Sequence, residues 1–117
     1  MKIYRNINKL IPELKKITEL IINDLELNSI PMQIFETYRI LNRQKELIAK
    51  GYSKTLKSKH LIGKAVDFVV FIDGKWSWNY AKYSKYFNKY GEIAEGYGLK
   101  WGGRWESFKD YPHIEIK

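Results

Sequence analysis

The sequence AVDFVVFI, residues Ala65–Ile72, is the clearest strand signal in this chain. Its side chains are apolar except for the carboxylate of Asp67, so apolar groups fall on both faces of the predicted strand. A strand of this kind is typically central in its sheet and covered on both sides. Asp73-Gly74 follows directly and favours a tight turn. We therefore expect the sheet to be built around this strand, with one carboxylate inside it.

Weaker helix and strand signals flank the central strand. The predicted helices cover Pro12–Leu25, about Asn42–Lys50 and about Asn79–Glu95, and the other predicted strands cover Ile30–Tyr38, Leu99–Trp101 and His113–Ile116. Pro12 suits a first helical turn, and Gly51 is expected to cap the second helix. Strands and helices do not alternate in βαβ order. The sequence therefore predicts an α+β fold with a small, mostly antiparallel sheet and flanking helices.

The length and composition are those of one folded domain. The chain has 117 residues, of which 44% are hydrophobic and 15% aromatic. The hydrophobic share excludes wholesale disorder, and the aromatic rings supply large apolar areas to a small core. The sequence has no cysteine, which excludes disulfides, thiol nucleophiles and every cysteine-ligated metal site.

The charge points to an anionic partner. The formal net charge is +8 at pH 7, which favours nucleic acid, an anionic membrane surface or an acidic wall polymer as the partner. Between Met1 and Leu27, charged residues and Pro12 interrupt each apolar run. Neither a signal peptide nor a membrane-spanning helix is expected there.

Both histidines have a carboxylate nearby in the sequence or in the predicted sheet. A turn at Gly63 would fold His60 back beside Asp67, and His113 opens the last predicted strand. Two imidazoles and one carboxylate form a ligand set that suits Zn²⁺, with a fourth position left for water or substrate. The spacing is loose, however, and in the competing interpretation Asp67 simply pairs with Lys64 or Arg39.

Two motifs in the second half of the chain carry a family resemblance. Ser58–Asp67, SKHLIGKAVD, resembles S-x-H-x-x-G-x-A-x-D, the first signature of the zinc D-alanyl-D-alanine carboxypeptidases and L-alanyl-D-glutamate endopeptidases, the VanY-like peptidases. Asp110–Glu115, DYPHIE, resembles their second signature, D-x-x-H-x-E. Further similarity lies in the stretches Glu36–Arg39, Arg43-Gln44, Phe71–Lys75 and Leu99–Trp105. The resemblance is nearest to phage endolysins and related wall-lytic endopeptidases.

The resemblance implies a fold, a metal and a set of roles. The fold would be that of the D-Ala-D-Ala peptidases, which is shared with the hedgehog signalling domain. One Zn²⁺ per chain would be bound by His60, Asp67 and His113. Asp110 would be the general base that takes a proton from the attacking water and passes it to the leaving amine. Arg39 would steady the oxyanion of the transition state.

Several outer residues have competing interpretations. Arg39 would pair with Glu36 or Asp67 if its role were structural rather than catalytic. Glu115 is either the group that holds a ligand imidazole by its other nitrogen or a solvated strand residue. Trp101 and Trp105 are expected in the core rather than in the cleft.

The implied function is hydrolysis of the L-Ala–D-Glu bond of the peptidoglycan stem peptide by a phage or prophage endolysin. One alternative is a D-Ala-D-Ala carboxypeptidase or dipeptidase on the same scaffold. Another, of a different class, is a basic nucleic-acid-binding module in which Lys82, Lys85 and Lys89 contact phosphates. That module leaves both motifs unexplained, so no nucleic-acid partner is expected.

The resemblance also sets expectations for the whole chain. Residues 1–117 are expected to form a single zinc peptidase catalytic domain without a separate wall-binding domain. We expect a monomer that is made in the cytoplasm without a signal peptide, does not insert into membranes, and acts on the cell wall after release. Its partners would be the stem peptide and, through charge, anionic wall polymers. The short loops Tyr52–Lys59 and Gly102–Lys109 are expected to flank the metal and leave the cleft open at both ends.

Overall fold

Five strands form one sheet in the computed structural model of the protein, which describes residues 2–117; Met1 lies outside the described residues. The strands are β1 (Met32–Glu36), β2 (Ala65–Ile72), β3 (Lys75–Ser77), β4 (Lys100–Trp101) and β5 (His113–Glu115). One edge of β2 pairs with β1, its other edge pairs with β5 and then β3, and β4 extends the sheet beyond β5. Every pairing is antiparallel. The predicted central strand is therefore confirmed at the predicted boundaries.

Three helices flank the sheet, which confirms the α+β prediction. They are α1 (Pro12–Leu27), α2 (Leu41–Ala49) and α3 (Tyr80–Gly96), and single turns of 3₁₀-helix cover Ile7–Lys9, Lys59–Ile62 and Gly102–Arg104. Pro12 opens α1 as predicted, because its missing N–H has no partner to lose in the first turn. The side chain of Asn79 caps α3 by accepting a hydrogen bond from the Lys82 N–H. Among residues 2–117, none of these helices has the length and apolar character that a membrane crossing requires.

The alternation of side chains along β2 separates the core from the site. Val66, Phe68 and Val70 belong to the main hydrophobic core together with buried residues of α1 and α3. The ring of Phe68, for example, lies 5.2 Å from that of Tyr90 on α3, centroid to centroid. The intervening side chains, beginning with Asp67, point to the opposite face. This face of the sheet carries the candidate site.

The structure differs from the sequence prediction at two strands. The sequence prediction passes from the Asp73-Gly74 turn directly to the third helix, whereas the structure forms β3 between them. Both turn residues have positive φ angles, 52° and 75°, which suits a tight hairpin turn, and the three-residue β3 is too short to show a strand pattern. β1 is shorter than the predicted Ile30–Tyr38, because the Thr37 N–H leaves the sheet to donate to the Tyr4 carbonyl at 2.7 Å.

Candidate metal centre and cleft

Three side chains bring their donor atoms together at the start of β2. His60 Nε2 and His113 Nδ1 each lie 3.1 Å from the same carboxylate oxygen, Asp67 Oδ1. One ligand atom from each residue falls within 4.8 Å of the others. Both imidazoles are buried. The structure thus brings together the three residues that the sequence analysis singled out as a ligand set.

Local structure explains why these side chains meet. His60 lies on the 3₁₀ turn that begins after Ser58, whose hydroxyl accepts a hydrogen bond from the His60 N–H at 3.2 Å. Gly63 ends that turn with a φ of 70°, in the left-handed region that favours glycine. The chain therefore folds back toward β2, as predicted. His113 reaches Asp67 from the neighbouring strand, since the two residues are direct partners in the β2–β5 ladder.

The outer nitrogen of each imidazole is held by an acceptor. His60 Nδ1 donates to the Thr37 carbonyl at 2.6 Å, and a carbonyl can only accept. His113 Nε2 lies 2.7 Å from Glu115 Oε1, so it donates to that carboxylate. Once both imidazoles are neutral, these contacts leave each inner nitrogen with a lone pair that faces Asp67. The cluster then offers three converging acceptor atoms, a set that fits a divalent metal such as zinc.

The electrostatics of the cluster agree with a bound cation. Burial raises the pKa of Asp67, but the positive charges and hydrogen bonds of His60 and His113 outweigh burial and hold that pKa well below its usual range. Burial lowers the pKa of His113, yet its hydrogen bonds to Asp67 and Glu115 raise the pKa to about 10. Without a metal, a proton on His113 would thus offset the negative charges of Asp67 and Glu115. A metal ion would replace that proton on binding.

Asp110 is fixed in the cleft wall three residues before His113. The His113 N–H donates to the Asp110 carbonyl at 3.1 Å, and the Asp110 N–H donates to the Gly102 carbonyl at 3.1 Å. Gly102 packs so closely that an added Cβ would collide with the Asp110 carbonyl oxygen. Burial and the charge of Asp67 raise the pKa of Asp110 to about 6, against the opposing effect of the nearby cations. The carboxyl is thereby brought close to the range that suits a general base at neutral pH.

Arg39 is buried between polar partners beside the candidate ligands. Its two terminal nitrogens donate to Glu36 Oε1 and to Gln44 Oε1, each at 2.8 Å. The nitrogen that contacts Glu36 also lies 3.6 Å from Asp67 Oδ2. Arg43 adds a second guanidinium to Glu36, with Nε 3.2 Å from Oε2. These contacts correspond to the structural interpretation, in which Arg39 pairs with neighbouring carboxylates.

A cleft of about 840 Å³ runs over the donor cluster. Its walls include residues of the loop Tyr52–Lys59 and of the segment Gly102–Lys109, as predicted, and the two walls meet where the Lys54 ammonium lies 4.7 Å from the centre of the Phe108 ring. Trp101 is buried as predicted, but the prediction of a core position for Trp105 is wrong. That indole is half-buried and lines the cleft, with its ring centre 5.2 Å from that of His113.

Some of the groups that hold the site together have no clear signal in the sequence. The Thr37 carbonyl is a backbone atom and has no sequence signature. Gln44 is marked in the sequence only by the family resemblance, although it links Arg39 to the Ser53 hydroxyl, which its Nε2 contacts at 2.8 Å. Of the two interpretations of Glu115, its contact with His113 favours the one in which it holds the imidazole.

Known proteins resemble the chain in sequence and in structure. Residues 51–116 match the family described as D-alanyl-D-alanine carboxypeptidase. An L-alanyl-D-glutamate peptidase of Listeria phage A118 is 34% identical over 95% of this chain, and one of Escherichia phage T5 is 34% identical over 91% of it. The chain spans 39% of the first protein and 79% of the second.

A solved structure agrees with these matches. The L-Ala D-Glu endopeptidase ChiX of Serratia marcescens is 32% identical and superposes with a TM-score of 0.75, covering 96% of this chain and 84% of its own. The resemblance inferred from the two motifs is therefore confirmed. The family model covers the second half of the chain, and a solved structure that is about a third identical shares its fold. The chain therefore belongs to the family of D-alanyl-D-alanine carboxypeptidases and L-alanyl-D-glutamate endopeptidases.

Proposed function

We propose that this protein is a zinc-dependent endopeptidase that hydrolyses the L-Ala–D-Glu bond of peptidoglycan stem peptides. The observation that carries the proposal is the convergence of His60, Asp67 and His113 on the floor of the cleft. The names of the relatives support the choice of bond, since the phage proteins and the Serratia protein are described by that specificity.

The three converging side chains hold one Zn²⁺ per chain. Two neutral imidazoles and one carboxylate are a ligand set that zinc accepts while keeping one position open. Thr37 and Glu115 keep the imidazoles in the tautomers that metal binding needs, because each accepts a hydrogen bond from the outer nitrogen. When bound, the ion supplies Lewis-acid polarisation of water and of the scissile carbonyl.

The chain's own residues move the proton and support the site. Asp110, whose pKa is raised to about 6, accepts the proton of the attacking water and passes it to the departing D-Glu amine. Arg39 acts as a positioning residue. Its guanidinium holds the Asp67 carboxylate in place while Glu36 and Gln44 hold the guanidinium.

Peptidoglycan digestion with mass spectrometry tests the proposed function. The zinc-loaded protein is incubated with purified peptidoglycan, and the new amino termini and released fragments are identified. We expect new D-Glu amino termini and no free D-alanine. Release of D-alanine from pentapeptide stems, without new D-Glu termini, would favour the carboxypeptidase alternative on the same scaffold.

Two controls separate catalysis from contamination. A chelator should abolish the reaction, and added Zn²⁺ should restore it. The His60→Ala and His113→Ala variants should lose both metal and activity, since each removes one of three ligands. Stoichiometric zinc retained by both variants would remove these histidines from the metal site.

A further inference from the structure

An aromatic cluster continues from the candidate metal site along the same face of the sheet. Phe35 on β1 has its ring 5.2 Å from that of Trp76 and 4.9 Å from that of Trp78, centroid to centroid. Trp76 in turn lies 4.7 Å from Phe71 of β2. Phe35 and Trp78 line the same cleft as His60, Asp67 and His113. The proposed chemistry makes no use of these rings.

The strand register shows on which side of β2 the chain continues to Trp78. Ser77, the last residue of β3, pairs with Val70 of β2, and Trp78 follows Ser77 in the direction of Val69. Val69 is two residues from Asp67, which corresponds to about 7 Å along a strand. Trp78 thus stands beside the ligand set on the face where substrate would lie.

Trp78 is also the ring of the cluster that is open to a ligand. The Arg5 guanidinium covers the other rings, 4.9 Å from the centre of Phe35 and 5.2 Å from that of Trp76. Phe71 is covered by Trp76. Trp78 remains 52% exposed. Its indole is supported by Phe35 on one side and is accessible from the cleft.

The chemistry of the substrate supplies a partner for this ring. In peptidoglycan the amino group of L-Ala is joined to the lactyl group of N-acetylmuramic acid. The scissile carbonyl is separated from the sugar by the L-Ala residue and the lactyl group. This distance is about 7 Å if each of the two units spans as much as one residue of an extended peptide. A pyranose ring presents weakly positive C–H groups, which suit the negative face of an indole.

Charge gives the substrate a direction in the cleft. The wall loops carry the cations Lys54, Lys57 and Lys109, whereas Phe35 and Trp78 contribute aromatic rings to the lining, with the single cation Arg5 over Phe35. The D-Glu side of the bond carries free carboxylates, and the sugar side carries none near the bond. The three loop cations therefore attract the acidic part of the substrate, which leaves the aromatic rings for the sugar.

We propose that Trp78 is a saccharide platform on which the N-acetylmuramic acid ring attached to the scissile L-Ala stacks. This inference rests on the proposed function, because it takes the L-Ala–D-Glu bond as the one cleaved. Trp78 would make the enzyme prefer stem peptides still attached to glycan over free peptides.

Paired substrates test the platform. Values of kcat/KM are measured for a stem peptide that carries N-acetylmuramic acid on L-Ala and for the same peptide with an acetyl group in its place. The wild type should prefer the sugar-bearing peptide roughly tenfold, a factor that burial of about 55 Å² of apolar surface supplies. Trp78→Ala should bring the preference close to one, and Trp78→Phe should keep part of it.

The control is Phe108→Ala, which removes a second exposed aromatic ring that lines the same cleft, on the segment Gly102–Lys109. We expect it to leave the sugar preference as in the wild type. A Trp78→Ala variant that lowers kcat/KM for both substrates by the same factor would overturn the platform, as would a wild type without any preference.

A binding measurement separates this inference from the proposed function. A glycan disaccharide without peptide is titrated into the zinc-loaded protein, and the indole N–H resonances are followed by NMR. A selective shift of the Trp78 resonance supports the platform, whether or not the peptides are cleaved. Failure to cleave either peptide would overturn the proposed activity but not the platform. An unshifted Trp78 resonance at saturating disaccharide contradicts the platform even if both peptides are cleaved.

Discussion

At the scale of single residues, the outer partners of the imidazoles decide what the donor cluster can bind. Glu115 is held on two sides, with Oε1 2.7 Å from His113 Nε2 and Oε2 3.1 Å from the Lys59 ammonium. This arrangement fixes the ring and increases the basicity of the nitrogen that faces Asp67. The site therefore depends on residues that would not themselves touch a metal.

Glu115→Gln tests this dependence. The amide carries no charge, so the His113 ring is held less firmly and zinc affinity should fall about 10- to 100-fold. Chelator competition measures the affinity. Glu95→Gln, which disturbs a surface pair with Arg104, is the matched control and should keep wild-type affinity. Equal affinities for the two variants would show that the Glu115 contact is unimportant for the metal.

Asp110→Asn tests the general base. The variant should keep zinc and fold but lose hydrolysis by about 10² to 10⁴-fold, because an amide cannot accept the proton. Turnover and zinc content are measured on the same preparation. Asp73→Asn is the control, since Asp73 is an exposed turn residue with a positive φ that asparagine also tolerates. Near-normal turnover with bound zinc would remove Asp110 from the mechanism.

Arg39→Lys separates the two interpretations of the buried guanidinium. A lysine has one charged centre and cannot replace both hydrogen bonds to Glu36 and Gln44, so the free energy of unfolding should fall by about 2 kcal/mol. Zinc affinity should fall with it, because Asp67 loses a neighbour that orients it. Urea unfolding and chelator competition give the two values. A large loss of kcat with stability and zinc affinity unchanged would favour the oxyanion role implied by the resemblance.

At the scale of elements, the short turns around the sheet position the site more than the helices do. The 3₁₀ turn Lys59–Ile62 carries His60, and Gly63 ends it against the N-terminal segment, where the Ile11 N–H donates to the Gly63 carbonyl at 3.0 Å. An added Cβ at Gly63 would lie 2.8 Å from the Lys9 carbonyl oxygen. The turn therefore has both a backbone and a steric requirement for glycine.

Gly63→Ala should show the effect of this turn on the metal site. A left-handed backbone and a steric clash act together, so we expect a loss of stability of about 2–4 kcal/mol and weaker zinc binding. Gly51→Ala is the matched control. Its φ of 79° is similar but its surroundings are open, so it should cost only about 1 kcal/mol. Equal losses in the two variants, measured by urea unfolding, would show that the contact with Lys9 has no energetic weight.

At the scale of the whole molecule, exposed lysine side chains contribute to the formal net charge of +8. Lys82, Lys85 and Lys89 are exposed on α3, away from the residues that line the cleft. Attraction to polyanionic wall polymers through such charges stays a prediction, as do the monomeric state and the single-domain organisation of residues 1–117.

The attraction to the wall predicts a salt dependence. Raising the ionic strength from 0.1 M to 1 M shortens the Debye length from about 10 Å to about 3 Å and screens long-range attraction. Digestion of intact sacculi, followed by turbidity, should slow markedly over this range, whereas hydrolysis of a small soluble stem peptide should change little. Parallel salt curves for the two substrates would place the effect in the active site instead of at the surface.

The sequence by itself determined the features that local chemistry controls. The apolar run of β2 specifies a buried central strand, the Asp73-Gly74 pair specifies a tight turn, and the two motifs carried the family resemblance. The meeting of His60 with Asp67 was also predictable, because the two residues are close in sequence and Gly63 allows the reversal between them. These features depend on neighbouring residues and on side-chain alternation.

Only the tertiary structure decided what surrounds the donor cluster. The Thr37 carbonyl that fixes His60 is a backbone atom 23 residues away, and any residue could have supplied it. Arg39 contacts Asp67 because β1 pairs with β2, and Trp105 lines the cleft because the segment before Asp110 folds over His113. Contacts between distant segments depend on the packing of the whole sheet, which leaves no periodic trace in the sequence. That is the physical reason why the meeting of His60, Asp67 and His113 and the role of Glu115 could be anticipated, while the Thr37 contact, the link through Gln44 and the aromatic lining of the cleft could not.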